Sequence, residues 1–260
     1  REAGIELKAL KAAAKKPYAI AQDYADGWIR EYHLKTDRLT GELFYYQDGV
    51  YVEAEGFISG LIDRQFRGIN TTSFISNVLD YIKRQSEYDF SDEWLALENG
   101  LLNPVTLEIV GFSPELVTRI KLKVTHDPKA ECPKWHKFLD ECKSNLTLLQ
   151  EAAGYPLLGK YPHQKSIMLL GGGGQGKGVF LSVIREILGV GNVSASTLQT
   201  LVENRFATAG LYGKLANISG DVNDVMLSDS GIFKALTGDD LIRAEFKGKP
   251  EFNFLNRAKL

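Results

Sequence analysis

The stretch from Ser166 to Gly189, SIMLLGGGGQGKGVFLSVIREILG, constrains the fold of this chain more than any other. Ile167 to Leu170 is an apolar run without a polar face, the pattern of a strand buried in a parallel sheet. It stops at four consecutive glycines. After Gln175, Gly176 and Lys177 the apolar residues return at helical spacing: Val179, Phe180, Val183, Ile184, Ile187 and Leu188. Gly189 is placed to end that helix.

Strand, glycine loop and helix with the spacing G-x-x-x-x-G-K predict a P-loop. Glycines reach positive φ at little steric cost, so successive backbone N–H groups can turn inward on an anion. The helix start adds unpaired donors and the positive end of its dipole, and Lys177 adds a formal charge for the β- and γ-phosphates. The expected nucleotide-binding set is therefore Gly171, Gly172, Gly173, Gly174, Gln175, Gly176, Lys177, Gly178 and Val179. A flexible glycine linker is the competing reading, and the flanking strand and helix weigh against it. Gly178 stands where Ser or Thr usually offers a hydroxyl to Mg²⁺, so phosphate binding is better supported than metal placement.

At 260 residues, 44% apolar and 25% charged, the chain has the composition of a soluble protein of one or two domains. No apolar run approaches a membrane span, no signal peptide is visible, and two cysteines fit a reducing cytoplasm. Net charge is −2; residues 151–260 hold 12 Lys and Arg against 10 Asp and Glu, and residues 1–150 hold 19 against 23. A nucleic-acid site must then be a local patch. Arg1 in place of Met and an ending at Leu260 in mid-pattern suggest a piece of a longer protein.

Upstream, residues 5–16 and Ala19 to Tyr32 read as helices, the first solvated. Leu43 to Tyr46 and Val50 to Val52 read as strands joined by a hairpin at Asp48-Gly49. Phe57 to Phe66 and Thr71 to Arg84 are helical patterns, and with the hairpin they suggest a winged-helix-like unit. Trp94 to Val124 is turn-rich and strand-like. His126, Cys132, His136 and Cys142 lack the paired spacing that preorganises zinc; Trp135, Phe138 and Leu139 suggest an amphipathic helix there instead. The seam between an N-terminal domain and the P-loop domain is placed at Gly154-Tyr155-Pro156. The organisation expected is a helical extension over 1–30, an N-terminal domain over 31–155 and a P-loop domain over 156–260.

Downstream, a Ser/Thr-rich start caps a helix in Ser194 to Asn204. Lys214 to Ser219 reads as a strand delivering Asp221 beside the phosphates, since ligands gather at the carboxyl ends of such strands. Asp221 is thus the candidate catalytic acid and Mg²⁺ ligand. Leu241 to Phe254 reads as a hairpin whose tip, Lys247-Gly248-Lys249-Pro250, can grip nucleic-acid phosphates.

The runs NRFATAGLYGKLANISGDV and FKALTGDDLIRAEFKGKPEFNFLNRAKL resemble the viral, phage and plasmid primase–helicases, with YYQDGVY, ENGLLNPVTLE, DPKAECPKWHKFL and LLQEAAGYPLL resembling their N-terminal helicase-associated domain. The resemblance covers roughly residues 30–260. It implies a poxvirus-type helicase domain of superfamily three: an α/β, AAA+-like P-loop NTPase with a parallel sheet, preceded by a mixed α+β domain. It also implies a hexameric ring that hydrolyses ATP with Mg²⁺ and pulls DNA through its centre, in host cytoplasm. On this resemblance Gly171, Gly176 and Lys177 match Walker A, and Asp221 matches Walker B with Gly220 in place of its acidic neighbour. Arg243, Lys247 and Lys249 fall in the hairpin that enters the channel. The sensor residue and arginine finger are expected beyond Leu260. A binding and assembly module without hydrolysis is the alternative. A small-molecule P-loop kinase leaves the basic hairpin without a role.

Overall fold

In the first half of the chain, local turn chemistry and helical periodicity agree with one another. The computed structural model describes residues 17–142, 145–220 and 230–260. Packing divides the chain into two units, Arg1–Phe90 and Ser91–Leu260. In the first, helix α1 (Pro17–Glu31) buries Ala21, Ala25 and Trp28, one face at a spacing of three to four residues. Strands β1 (Lys35–Asp37), β2 (Leu43–Gln47) and β3 (Val50–Glu53) follow. β2 and β3 pair antiparallel around Asp48 and Gly49, at φ 50° and 86°, the left-handed pair that a tight hairpin turn needs.

Helices α2 (Glu55–Gln65) and α3 (Thr72–Gln85) cover one face of this sheet. Thr71 caps α3, its side chain accepting from the Phe74 N–H at 3.2 Å. Phe74, Val78, Leu79 and Ile82 then face Leu43, Ile58 and Ile62 in a common core. Strand β4 (Glu87–Tyr88) pairs parallel with β1, giving the order β3-β2-β1-β4.

In the second unit, β5 (Leu95–Leu97), β6 (Gly100–Leu102) and β7 (Ile109–Val110) form an antiparallel meander. Gly100, at φ 153°, lies under β7, where a Cβ would sit 2.6 Å from the Val110 carbonyl oxygen. The backbone at residues 120–124 runs along β5, with Ala96 bonded to both Ile120 and Leu122. Helices α4 (Pro133–Glu141), α5 (Leu146–Gly154) and α6 (Lys177–Leu188) come next. Leu95, Leu97, Ile120, Leu122 and Leu139 share one core with Phe180, Ile184 and Leu188 of α6. Apolar side chains between residues 95 and 139 therefore pack with the glycine-loop helix. Apolar complementarity decides this, and nothing in the seam dipeptides reports it.

The parallel sheet is smaller than expected. Among the described residues of the second unit, β8 (Val193–Ser194) and β9 (Ala216–Asn217) are the one parallel strand pair. Lys259 continues the ladder through a single parallel bridge to Ala216, and the Ile167 N–H donates to the Leu260 carbonyl at 2.8 Å. The expected strand at Ile167 to Leu170 is thereby corrected: it is not a regular strand, and Met168 and Leu170 are 56% and 83% exposed. A strand is a property of its ladder, and past Ile167 this run has no ladder partner among the described residues. The result is a mixed α/β chain with several small sheets.

Short helices α7 (Leu198–Glu203), α8 (Arg205–Ala209) and α9 (Ser230–Thr237) surround the antiparallel hairpin β10 (Leu241–Glu245) and β11 (Glu251–Leu255). Ile242, Ala244, Phe252 and Phe254 alternate inward, joining Leu201, Leu211 and Leu236 in a further apolar cluster. Residues 5–16 and Asp221 lie outside the described residues.

Candidate functional site

The glycine loop bends where expected and leads directly into α6. Gly174 and Gly176 hold φ 72° and 81°, left-handed values that cost side-chain-bearing residues free energy. Gly176 is also pressed from behind. A Cβ there would sit 2.9 Å from the Phe138 ring and 3.6 Å from Cys142 Sγ, so the C-terminal end of α4 sets the back of the loop. Phe138 is fixed in turn, stacked on Trp135 at 5.3 Å between ring centroids, and Trp135 stacks on Phe180 of α6 at 5.7 Å. Gly189, at φ 77°, ends α6 as expected.

No side chain caps the start of α6, and its first turn holds no acid. The N–H groups of Lys177, Gly178 and Val179 have no partner within the helix by construction. The Lys177 ammonium donates to the Gly171 and Gly172 carbonyls at 2.8 and 2.7 Å. It therefore lies across the mouth of its own loop, held by neutral dipoles rather than by a carboxylate. The Gln175 side chain folds over the same mouth, against Gly171. Open donors, a helix dipole and an ammonium that pairs with no carboxylate among the described residues give this place the chemistry of an anion seat.

The loop opens into a cleft of about 1640 Å³, larger than a typical small-ligand pocket. Gly174, Gln175, Gly176 and Lys177 line it together with Phe138, Leu148, Leu149, Ala152, Tyr155 and His163. The apolar wall belongs to α4, α5 and the segment after α5. Periodicity marks these residues as ordinary helix faces, so their part in the cleft is invisible in the sequence.

A nucleotide triphosphate suits these residues; a metal is less well served. Gly178 has no hydroxyl, and no group of three or more His, Cys, Asp or Glu side chains positioned to hold a metal occurs among the described residues. The β10–β11 tip projects Lys247 and Lys249 to the surface around Gly248, at φ 78°. The Lys249 ammonium lies 5.5 Å from the Phe246 ring centroid, and Arg243 pairs with Glu251 across the hairpin, its Nε donating at 2.9 Å. Hairpin and glycine loop belong to separate apolar clusters.

Against known proteins, residues 23–143 match the family described as D5 N terminal like, and residues 169–260 match DUF5906, a family of unknown function. The second match begins two residues before the glycine loop. The first match falls on the part of the chain whose runs resemble the N-terminal domain of the viral and phage primase–helicases. Among solved structures, the A form apo structure of the NrS-1 C terminal region aligns with a TM-score of 0.50 at 14% identity, a likeness of fold. The alignment covers 87% of this chain and 51% of that one, so the chain spans about half the length of the solved chain it matches. No curated protein matches it in sequence. No helix among the described residues is long and apolar enough to cross a membrane.

Proposed function

We propose that the chain is a segment of an NTP-dependent DNA helicase of a viral, phage or plasmid replication system. In this reading the second unit carries an AAA+-like, superfamily-three P-loop domain from about residue 156, and 31–155 is the helicase-associated domain before it. One observation carries the proposal: Lys177 lies across an uncapped helix start, beside left-handed glycines, at the mouth of a cleft with ample room for a nucleotide. A triphosphate would draw the Lys177 ammonium off the Gly171 and Gly172 carbonyls, exchanging neutral acceptors for charged ones. The first-turn N–H groups would then hold the phosphates in line, and positioning of that kind is the main protein contribution to phosphoryl transfer. Asp221 is the residue we assign to Mg²⁺, which supplies charge neutralisation when bound. Arg243, Lys247 and Lys249 are assigned to DNA, in a hexameric ring acting in the host cytoplasm.

The missing hydroxyl at Gly178 favours a second reading, a nucleotide- and DNA-binding assembly module without hydrolysis. Two measurements separate them. In the full-length protein, Lys177→Ala should abolish ATP turnover while DNA retention persists; unchanged turnover refutes the helicase assignment. In the 260-residue chain, phosphate release stimulated by single-stranded DNA supports the motor. ATP binding with no release supports the module.

A further inference from the structure

The helical spacing that turns Phe74, Val78 and Ile82 of α3 into the core puts Asn77, Asp80, Tyr81 and Arg84 together on the neighbouring face, at i, i+3, i+4 and i+7. On α1 the same spacing joins Tyr18, Ala21 and Gln22. These two faces line a cavity of about 300 Å³ within the first unit, at the small end of the range for ligand sites. Ala21 and Val78, both buried, supply its apolar part. Gln22, Asn77, Asp80 and Arg84 are exposed, so the cavity opens to solvent.

Several of its polar groups are already held in place. Asn77 Nδ2 donates to the Tyr18 hydroxyl at 3.1 Å, which leaves the Tyr18 proton to give elsewhere. The Tyr81 hydroxyl donates to Asp26 at 2.9 Å. The Tyr18 ring rests on Phe74, 5.4 Å between centroids, and is 46% exposed. An Asp and an Arg at i and i+4 on a helix ordinarily pair, yet among the described residues neither Asp80 nor Arg84 forms an ion pair. Lys83, the adjacent cation, is engaged by Glu55 at 2.7 Å. A carboxylate and a guanidinium from adjacent turns, about 5–6 Å apart at Cβ, thus share one small cavity without meeting.

We propose that this cavity binds a single guanine base, presented by a free nucleoside or by an unpaired strand. Guanine is the nucleobase that offers both charges a bidentate partner. Its O6 and N7 accept from a guanidinium fork, and its N1–H and N2–H donate to a carboxylate. Those two edges adjoin on one ring system, a separation that matches neighbouring turns of a helix. Adenine, cytosine and uracil interleave donors with acceptors and leave at least one of the charges with a single bond. The exposed Tyr18 ring adds a stacking face, and the amides of Gln22 and Asn77 add neutral polar contacts. One cation facing one anion also suits a neutral base better than a phosphate. The site uses no residue of the glycine loop or of the β10–β11 tip, so it stands or falls apart from the helicase reading.

The test is calorimetric titration of the whole chain with guanosine, inosine, adenosine and cytidine, none of which carries a phosphate for the glycine loop. Guanosine should bind saturably at one site, and inosine, which lacks the N2 amine, about tenfold more weakly. Asp80→Asn and Arg84→Gln change exposed positions, so both should melt as the parent does and bind guanosine about tenfold more weakly. Guanosine binding no tighter than that of the other nucleosides, or undiminished in either variant, overturns the site. A thymidine oligonucleotide carrying one guanine identifies the source of the base. Displacement of guanosine by it, and not by the all-thymidine strand, assigns the cavity to a base in a strand; no displacement assigns it to the free nucleoside.

Discussion

Replacing Gly176 by Ala tests the geometry on which the anion seat depends. Two costs add. At φ 81° the new side chain enters the left-handed region, worth roughly 1–2 kcal/mol for a residue other than glycine. The Cβ also meets the Phe138 ring at 2.9 and 3.2 Å. That ring cannot swing away freely, because it stacks on Trp135, which stacks on Phe180. Overpacking of this kind adds about 1–2 kcal/mol, so Gly176→Ala should destabilise by roughly 2–4 kcal/mol in all. Urea unfolding read through tryptophan fluorescence measures it, with an unchanged m value confirming a shift in stability. A cycle with Phe138→Ala separates the two costs: removing the ring should cancel the steric part, a coupling of about 1–2 kcal/mol, and leave the backbone part. A cost below about 0.5 kcal/mol with no coupling refutes both the left-handed turn and the pressure from α4.

Two further outcomes are expected. Lys259 holds its proton to about pH 7 in the folded chain and to about 10.4 when unfolded. Within that window the unfolded state binds the extra proton, so stability in chloride buffer should rise from pH 7.5 to 9.5 by roughly 1 kcal/mol per unit. Lys259→Met should flatten that rise, and a variant that keeps the full slope assigns it to another group. Replacing both Lys247 and Lys249 by Ala should reduce the salt slope of single-stranded DNA binding by about 1.4, two phosphates at roughly 0.7 each. A slope that does not move removes the hairpin tip from the DNA interface.

Much of this chain was legible where a local rule suffices. Asp48-Gly49 announced its hairpin, Thr71 its helix start, Gly189 its helix end, and the alternation from Leu241 to Phe254 its two strands. The left-handed bend at Gly174 and Gly176 and the helix that follows it could be read because they lie within one continuous stretch. Ile167 to Leu170 could not: an apolar run states that burial is favourable, and whether partners stand beside it depends on residues nearly 100 positions away.

What the sequence determined alone was therefore most of the elements and the bend at the glycines, fixed by φ preference and short-range spacing, and, through whole runs of residues, the family resemblance. The tertiary structure decided that apolar side chains between residues 95 and 139 pack with α6, and that Phe138 braces Gly176 from behind. It also decided that α5 and Lys177 line one cleft, and that Arg257 is buried 3.9 Å from the Asp92 carboxylate while the Lys259 ammonium, also buried, donates to the Arg257 carbonyl. The physical reason is common to all of these. Packing and Coulomb interactions act between groups close in space, and no local preference records which distant residues will meet.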